Sequence, residues 1–420
     1  MKTSSRIQSD QSIFIWNVLG TSSTALISVI LLMIVSRVLS KSASDTFSFA
    51  YAIGNQLITI GLFQIRNFQS TDILHKYRFK DYFYTRLVTC FLMIAISVLY
   101  IYLGSYSGFK GLVIWLICLY RCTDAISDVF QGMFQQRERL DIAGKSLFYR
   151  NMLVILGFTL CLVLTKQLVL SLIVICLISV ACIVLFDITP SVSFTSLERR
   201  IDAQSILGLL KESFPLFLNG FLLIYIYNQP KFVLEQLYSK QLIPAGVQTE
   251  FNILFMPIFM INLIFLFLRP MITQLAIYHS KEDEKSFAQL ERRLSLVLLL
   301  ASLAILLASY FVGLPVLSLV YGIDLRHYQL DFMLLIFGGI ISTFATYIDN
   351  LITIIRKQHL LVIPYVVSFI SSLAITGSLA RSFGVIGVTY GFIISMMIWL
   401  LLSYGPYDNS SQIIIEIIKP

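Results

Sequence analysis

The feature that most constrains this chain is a repetition. An apolar run of about 20 residues, closed by a short charged or Gly/Pro-bearing break, recurs from one end to the other. Roughly 20 residues of α-helix, rising 1.5 Å each, cross the hydrocarbon core of a bilayer. In lipid every backbone N–H and C=O must be bonded inside its own segment, so such runs are helices. Twelve candidate spans follow: 13–36, 45–64, 85–104, 111–131, 149–165, 168–187, 214–235, 246–268, 293–313, 331–355, 360–380 and 384–404. Composition agrees. The 420 residues are 57% hydrophobic and 13% charged, where a soluble domain carries about 25% charged residues. The 32 Phe and 21 Tyr suit lipid contact and interfacial belts. The expected fold class is all-α: a polytopic membrane protein of about 12 transmembrane helices. The first run follows a polar segment, Met1 to Ser12, and has no small-residue cleavage site after it. It is expected to be a retained span, not a signal peptide.

Twelve spans place both termini on one side, and loop charge selects the side. With the N-terminus cytoplasmic, 22 of the 31 Lys and Arg fall inside. Eight fall outside: Arg37, Lys41, Lys110, Lys166, Lys231, Lys240, Arg326 and Arg381. Arg121 lies within a span. The excess of inside cations puts both termini in the cytoplasm of a cell membrane. The same bias accounts for the net charge of +8, and no basic stripe with interleaved aromatics marks a nucleic-acid partner. The connection 188–213 separates six spans from six and contains SLERRIDAQSILGLLKES, which reads as an interfacial amphipathic helix. The expected organisation is an N-terminal lobe at 1–187, a cytoplasmic linker at 188–213 and a C-terminal lobe at 214–420.

An ionisable group inside a span costs several kcal/mol and faces the bundle interior or water. The fourth span carries Arg121, Asp124 and Asp128 at i, i+3 and i+7, one helical face. The seventh carries Asn228, Lys231 and Glu235 at the same spacing, beside Pro230. Asp349 and Asn350 lie in the tenth, and Asn219, Asn252 and Asn262 punctuate the seventh and eighth. Two readings stand. Arg121 with Asp124, and Lys231 with Glu235, are ion pairs that hold helices in register. Alternatively these groups line a hydrated cavity in which Arg121, Lys231 and Arg37 meet an anionic ligand, arginine suiting phosphate through its two-donor fork.

Pro215, Pro230, Pro257, Pro270, Pro315 and Pro364 free carbonyls and permit kinks, either static or gating. Gly384, Gly387 and Gly391, at i, i+3 and i+7, allow close helix approach. The six cysteines, Cys90, Cys118, Cys122, Cys161, Cys176 and Cys182, sit in apolar runs without metal-ligand spacing and are expected as reduced thiols. The four histidines fall in loops. No Walker loop, HExxH or GxSxG occurs, external connections are short, and no cofactor is implied. The chain is therefore not expected to be an enzyme; a membrane polysaccharide polymerase or ligase would need a sizeable external loop.

Several stretches, in order, resemble the polysaccharide flippase (Wzx-like) family of the multidrug/oligosaccharidyl-lipid/polysaccharide exporter superfamily. They are NVLGTSSTALISVILLMIVSRVLS, YAIGNQLITIGLFQIRNFQSTD, RCTDAISDVFQGMFQQRERLDIAGKS, SFPLFLNGFLLIYIYNQPKFVLEQ, GLPVLSLVYGIDLRHY and SFGVIGVTYGFIIS. The turn SKSASDTFSFAYAIG lacks the glycine that the family places before the tyrosine. The resemblance implies two six-helix lobes around a central cavity. It implies an undecaprenyl-diphosphate-linked oligosaccharide as cargo in membrane lipid, translocated by alternating access for cell-surface polysaccharide synthesis. Arg37 and Lys231 match the cations that end each lobe's first helix, whereas Arg121 has no family counterpart. The alternative on the same scaffold is a cation-coupled multidrug or small-molecule antiporter. It would use a carboxylate such as Asp124, Asp128 or Asp349 to exchange a coupling ion, H⁺ or Na⁺.

Overall fold

The computed structural model describes residues 2–72, 76–194, 202–261 and 264–417, and every regular element among them is helical. In chain order these are α1 (Lys2–Val38), α2 (Lys41–Leu62), α3 (Ile65–Thr71), α4 (Phe79–Leu103), α5 (Gly108–Gln136), α6 (Leu140–Thr165) and α7 (Leu168–Ser191). There follow α8 (Ala203–Ser239), α9 (Val247–Ile261), α10 (Ile264–Ser280), α11 (Glu284–Tyr321), α12 (Gln329–Ile354), α13 (Val362–Phe383) and α14 (Val385–Ile417). Eleven of the expected spans each fall on one of these helices; the eighth, 246–268, is divided between α9 and α10, and its residues 262–263 lie outside the described residues. Among the described residues nine are long and apolar enough to cross a membrane by length and composition. The other three are α2, α5 and α9. The fifth helix has 29 residues but carries Arg121, Asp124 and Asp128. The ninth is a shorter apolar helix with Pro257 inside it, resumed by α10. The chain is a multi-pass membrane protein.

Two compact units divide the chain, Met1–Ile224 and Tyr225–Pro420. The division falls within α8, which is continuous from the region expected as a linker into the seventh span. Residues 195–201 of that linker, and Asn262, lie outside the described residues.

Within unit 1, α5 is central: it packs against α2, α3, α4, α6 and α7. Close approach fastens α1 to α6. A Cβ on Gly144 would meet the Trp16 carbonyl oxygen at 2.2 Å, and one on Gly20 the Gly144 oxygen at 2.8 Å. An aromatic core gathers Phe63, Tyr77, Tyr82, Phe130 and Phe134 at one end of the unit, where Phe63 stacks on Phe217 with centroids 4.2 Å apart. Phe63 and Gln64 adopt φ of 44° and 55°. These two successive left-handed residues stop α2 and redirect the chain into α3. Between Ile183 and Ile188, α7 widens to a π-helical turn.

Unit 2 is built around α12, which packs against α9, α10, α11 and α14. Its apolar window is 67% buried, against 11% for α11. Leu296, Leu299, Leu300, Leu303 and Leu307 accordingly present α11's apolar surface outward, as a lipid-facing helix does. The glycines at the start of the last span divide in role. Gly384 has φ 66° and joins α13 to α14. A Cβ on Gly387 would lie 2.1 Å from the Leu379 oxygen, and one on Gly391 within 2.8 Å of Thr376 atoms, so these two let α13 and α14 touch.

Candidate functional site

The face of α5 predicted from the Arg121, Asp124, Asp128 spacing turns into unit 1, where each aspartate is held by two arginines. Asp124 Oδ2 accepts from Arg121 Nη1 at 2.8 Å, and Arg150 Nη2 of α6 stands 2.9 Å from Oδ1. Arg121 also donates to Asn55 Oδ1 on α2 and lies over the Tyr51 ring at 4.8 Å. One turn on, Asp128 accepts from Arg66 Nη1 at 3.1 Å and from Arg86 Nη2 at 2.8 Å. Arg86 of α4 is 0% exposed, and its Nη1 donates to the Gly61 oxygen at 2.6 Å. The break at Phe63–Gln64 aims Arg66 of α3 at this group, where it also donates to Gln131 and Gln135. A third carboxylate, Asp187, stands on the π-helical turn of α7 and accepts from Ser127 Oγ at 2.6 Å and Ser146 Oγ at 2.5 Å. Gln131 donates to Ser127, so hydrogen bonds connect Arg66 to Asp187 through α5.

Arg66, Arg86, Arg150 and Asp187 were not singled out from the sequence. Asp187 carried the clearer signal: it is the one carboxylate in the most apolar of the expected spans. Arg86 and Arg150 each stand second in an expected span, where a cation reads as a cytoplasmic flank.

Unit 2 treats its ionisable groups differently. Lys231 and Glu235, both buried, do not pair. The Lys231 ammonium lies over the rings of Phe255 and Phe259 at 5.2 and 5.4 Å, and forms no ion pair among the described residues. Tyr227 and Phe392 complete an aromatic group with these rings. Glu235 Oε2 accepts from Gln248 Nε2 at 3.0 Å, and Glu250 from the Tyr328 hydroxyl at 2.9 Å. Asp349 is buried and accepts from the Tyr365 hydroxyl at 2.6 Å, with Trp399 and Ser403 close by as further neutral donors. Its Oδ1 has no hydrogen-bond partner. Asn228 is buried on the same helix as Lys231. Asn350 donates to the Thr346 oxygen along its own helix. Arg37 is exposed in the last turn of α1. The six cysteines are free.

Chemically, Asp124 and Asp128 of unit 1 cannot change charge without breaking two ion pairs, whereas Asp187 is held by two hydroxyls. Unit 2 offers a carboxylate, Asp349, whose visible partners are neutral, and a buried ammonium held by π-faces.

Neither a family model nor a curated protein matches the sequence. Solved structures do match. An inward-facing multidrug resistance MATE family transporter of the MOP superfamily aligns with TM-score 0.67 at 11% identity, covering 95% of this chain and 99% of that one. A mutant of the Vibrio cholerae MATE transporter VcmN gives TM-score 0.58 at 12% identity over 96% and 97%. A MOP superfamily transporter from Pyrococcus furiosus, described as having a binding pocket of reverse polarity, gives 0.53 at 10% identity over 94% and 95%. Each alignment covers nearly the whole of both partners, and on that ground the chain has the fold of the MATE transporters of the MOP superfamily.

Proposed function

We propose that this chain is a cation-coupled exporter of small amphiphilic molecules working by alternating access. The observation that carries the reading is Asp349. A coupling carboxylate must bind and release H⁺ or Na⁺ during each cycle, and a group locked between guanidinium ions resists both. Asp124 and Asp128 are so locked, while Asp349 meets a phenol and keeps one oxygen unengaged. The rings of Tyr227, Phe255, Phe259 and Phe392 in the same unit suit an apolar, aromatic cargo. Transport by the MATE proteins of like fold supports the reading. The loop charges orient the protein with both termini cytoplasmic in the cell membrane, and the lobes 1–187 and 214–420, joined by 188–213, form the two halves of the transporter.

The test uses purified protein in liposomes. An imposed H⁺ or Na⁺ gradient should drive movement of a fluorescent cationic dye. Asp349→Asn should abolish the gradient-driven flux while leaving gradient-free dye exchange. Absence of dye transport by the wild type under both gradients would overturn the reading.

A second reading, a flippase for undecaprenyl-diphosphate-linked oligosaccharide, is favoured by one observation. Lys231 is a buried ammonium without an acid among the described residues, and a diphosphate would supply that charge. In the same liposomes, reorientation of lipid-linked oligosaccharide that is lost in Lys231→Ala, with no dye flux, would select it.

A further inference from the structure

Around Asp124, buried hydrogen-bond donors outnumber the protein groups that receive them. Arg150 Nε and Nη1, Arg121 Nε, the Tyr51 hydroxyl and Ser48 Oγ are all buried without a hydrogen-bond partner. They belong to one neighbourhood. Arg121 and Arg150 both grip Asp124, and the Tyr51 ring lies beneath the Arg121 guanidinium. Tyr51 also interacts electrostatically with both Arg121 and Asp124, and Tyr120 with Asp124, Tyr51, Arg121 and Arg150. Ser48 precedes Tyr51 by one helical turn on α2.

Guanidinium nitrogens donate and never accept. A buried donor without a partner costs on the order of 1–3 kcal/mol, more when it is charged, so three of them in one place call for an acceptor. Protein acids provide too little. Asp124 is ion-paired with both arginines, and its Oδ1 is the one carboxylate oxygen there without a hydrogen bond, set against five unpartnered donor atoms; Asp187, the other carboxylate facing Arg150, accepts two serine hydroxyls instead. Within the connected network four arginines, Arg66, Arg86, Arg121 and Arg150, face three aspartates, Asp124, Asp128 and Asp187. One positive charge remains. Arg150 is almost wholly buried, with a side-chain exposure of 4%, while Arg121 and Asp124 keep 15% and 13%.

We propose that unit 1 binds a small inorganic anion, chloride under physiological conditions, between α2, α5 and α6, with Arg150, Arg121 and Tyr51 as its donors. A halide accepts only, as these donors require, and neutralises the excess charge. The site is distinct from Asp349 and Lys231 in unit 2, and its occupancy does not depend on the transport reading.

The experiment is equilibrium binding of radiolabelled chloride to the purified full-length protein in detergent, at fixed ionic strength with gluconate as the replacing anion. We expect saturable binding of one chloride per chain, competed by bromide. Tyr51→Phe and Arg150→Lys should each weaken it at least about tenfold, the loss of one charge-assisted hydrogen bond. Tyr51→Phe deletes a single hydroxyl, so it keeps the test decisive should Arg150→Lys fail to elute as a folded species. Absence of saturable chloride binding by folded wild-type protein would overturn the proposal, as would an unchanged affinity in Tyr51→Phe. Because no gradient or cargo is present, that failure is separable from a failure of dye transport.

Discussion

Unit 1 answers each carboxylate of α5 with two opposite charges, whereas the partners seen among the described residues for Asp349, Glu235, Glu250 and Lys231 of unit 2 are neutral dipoles and aromatic rings. Asp128 lies between Arg66 and Arg86, and Asp124 between Arg121 and Arg150. Asp349 has Tyr365, Glu235 has Gln248, Glu250 has Tyr328, and Lys231 has Phe255 and Phe259. The physical consequences diverge. Removing one member of a buried ion pair strands the other, at a cost of about 3–5 kcal/mol. Removing a charge met only by neutral partners strands no counter-charge.

Asp128→Ala therefore gives the most severe test of this contrast. It leaves the fully buried Arg86 without a counter-ion and should destabilise unit 1 by about 3–5 kcal/mol, read as a drop in the thermal unfolding midpoint in detergent. A loss no larger than that of Asp349→Ala would remove the distinction between the units. Next in size is Lys231→Met. The change keeps the aliphatic stem and takes a lone charge out of an apolar place, so stability should hold or rise by about 1 kcal/mol. A marked loss would mean that Lys231 is anchored by an acid after all. Asp349→Asn should cost under about 1 kcal/mol, because an amide oxygen still accepts from the Tyr365 hydroxyl; the same unfolding assay reads it.

The smallest effect lies at the surface of unit 2, where Asp283 caps α11 by accepting from the Ser286 amide at 3.1 Å. Hydrogen bonds from the Ser286 side chain and amide hold its carboxyl below the usual aspartate value, about 3.9. A carboxyl lowered in this way stabilises the folded helix fully above that value, and the contribution is lost as pH falls through the lowered one. Amide protection over 284–287, taken relative to intrinsic exchange at each pH, should fall on acidification in the wild type and be flat in Asp283→Asn. Parallel profiles would show that the cap is not formed by the carboxylate.

Much of this contrast was legible beforehand, for reasons that differ by residue. Spans such as 293–313 are set by length and hydropathy alone. Asp124 and Asp128 announce themselves because a carboxylate has no place in lipid, and their spacing with Arg121 fixes a common face. What the chain conceals is the far partner. Arg86 and Arg150 occupy the rim of a span, where the bias that orients loops also predicts cations, so their inward turn is decided by packing against α5. Arg66 depends on the left-handed break at Phe63–Gln64, at residues that carry no glycine signal. Lys231 and Glu235 sit at pairing distance along a helix, yet the side chains go to rings and to an amide. Helical spacing says which residues share a face and is silent on which neighbour reaches that face first.

The wide turn at Ile183–Ile188 has a consequence for how α7 tolerates insertion and deletion. A π-turn is an α-helix that has absorbed one surplus residue. Excising a single residue there would restore ordinary i→i−4 bonding and, because the wide turn has absorbed that residue, leave the helix beyond it nearly in phase. The helix would survive with its backbone satisfied, but the local widening on which Asp187 meets Ser127 and Ser146 would be gone. The surplus residue thus bears on the placement of one carboxylate and leaves the rest of the span in register.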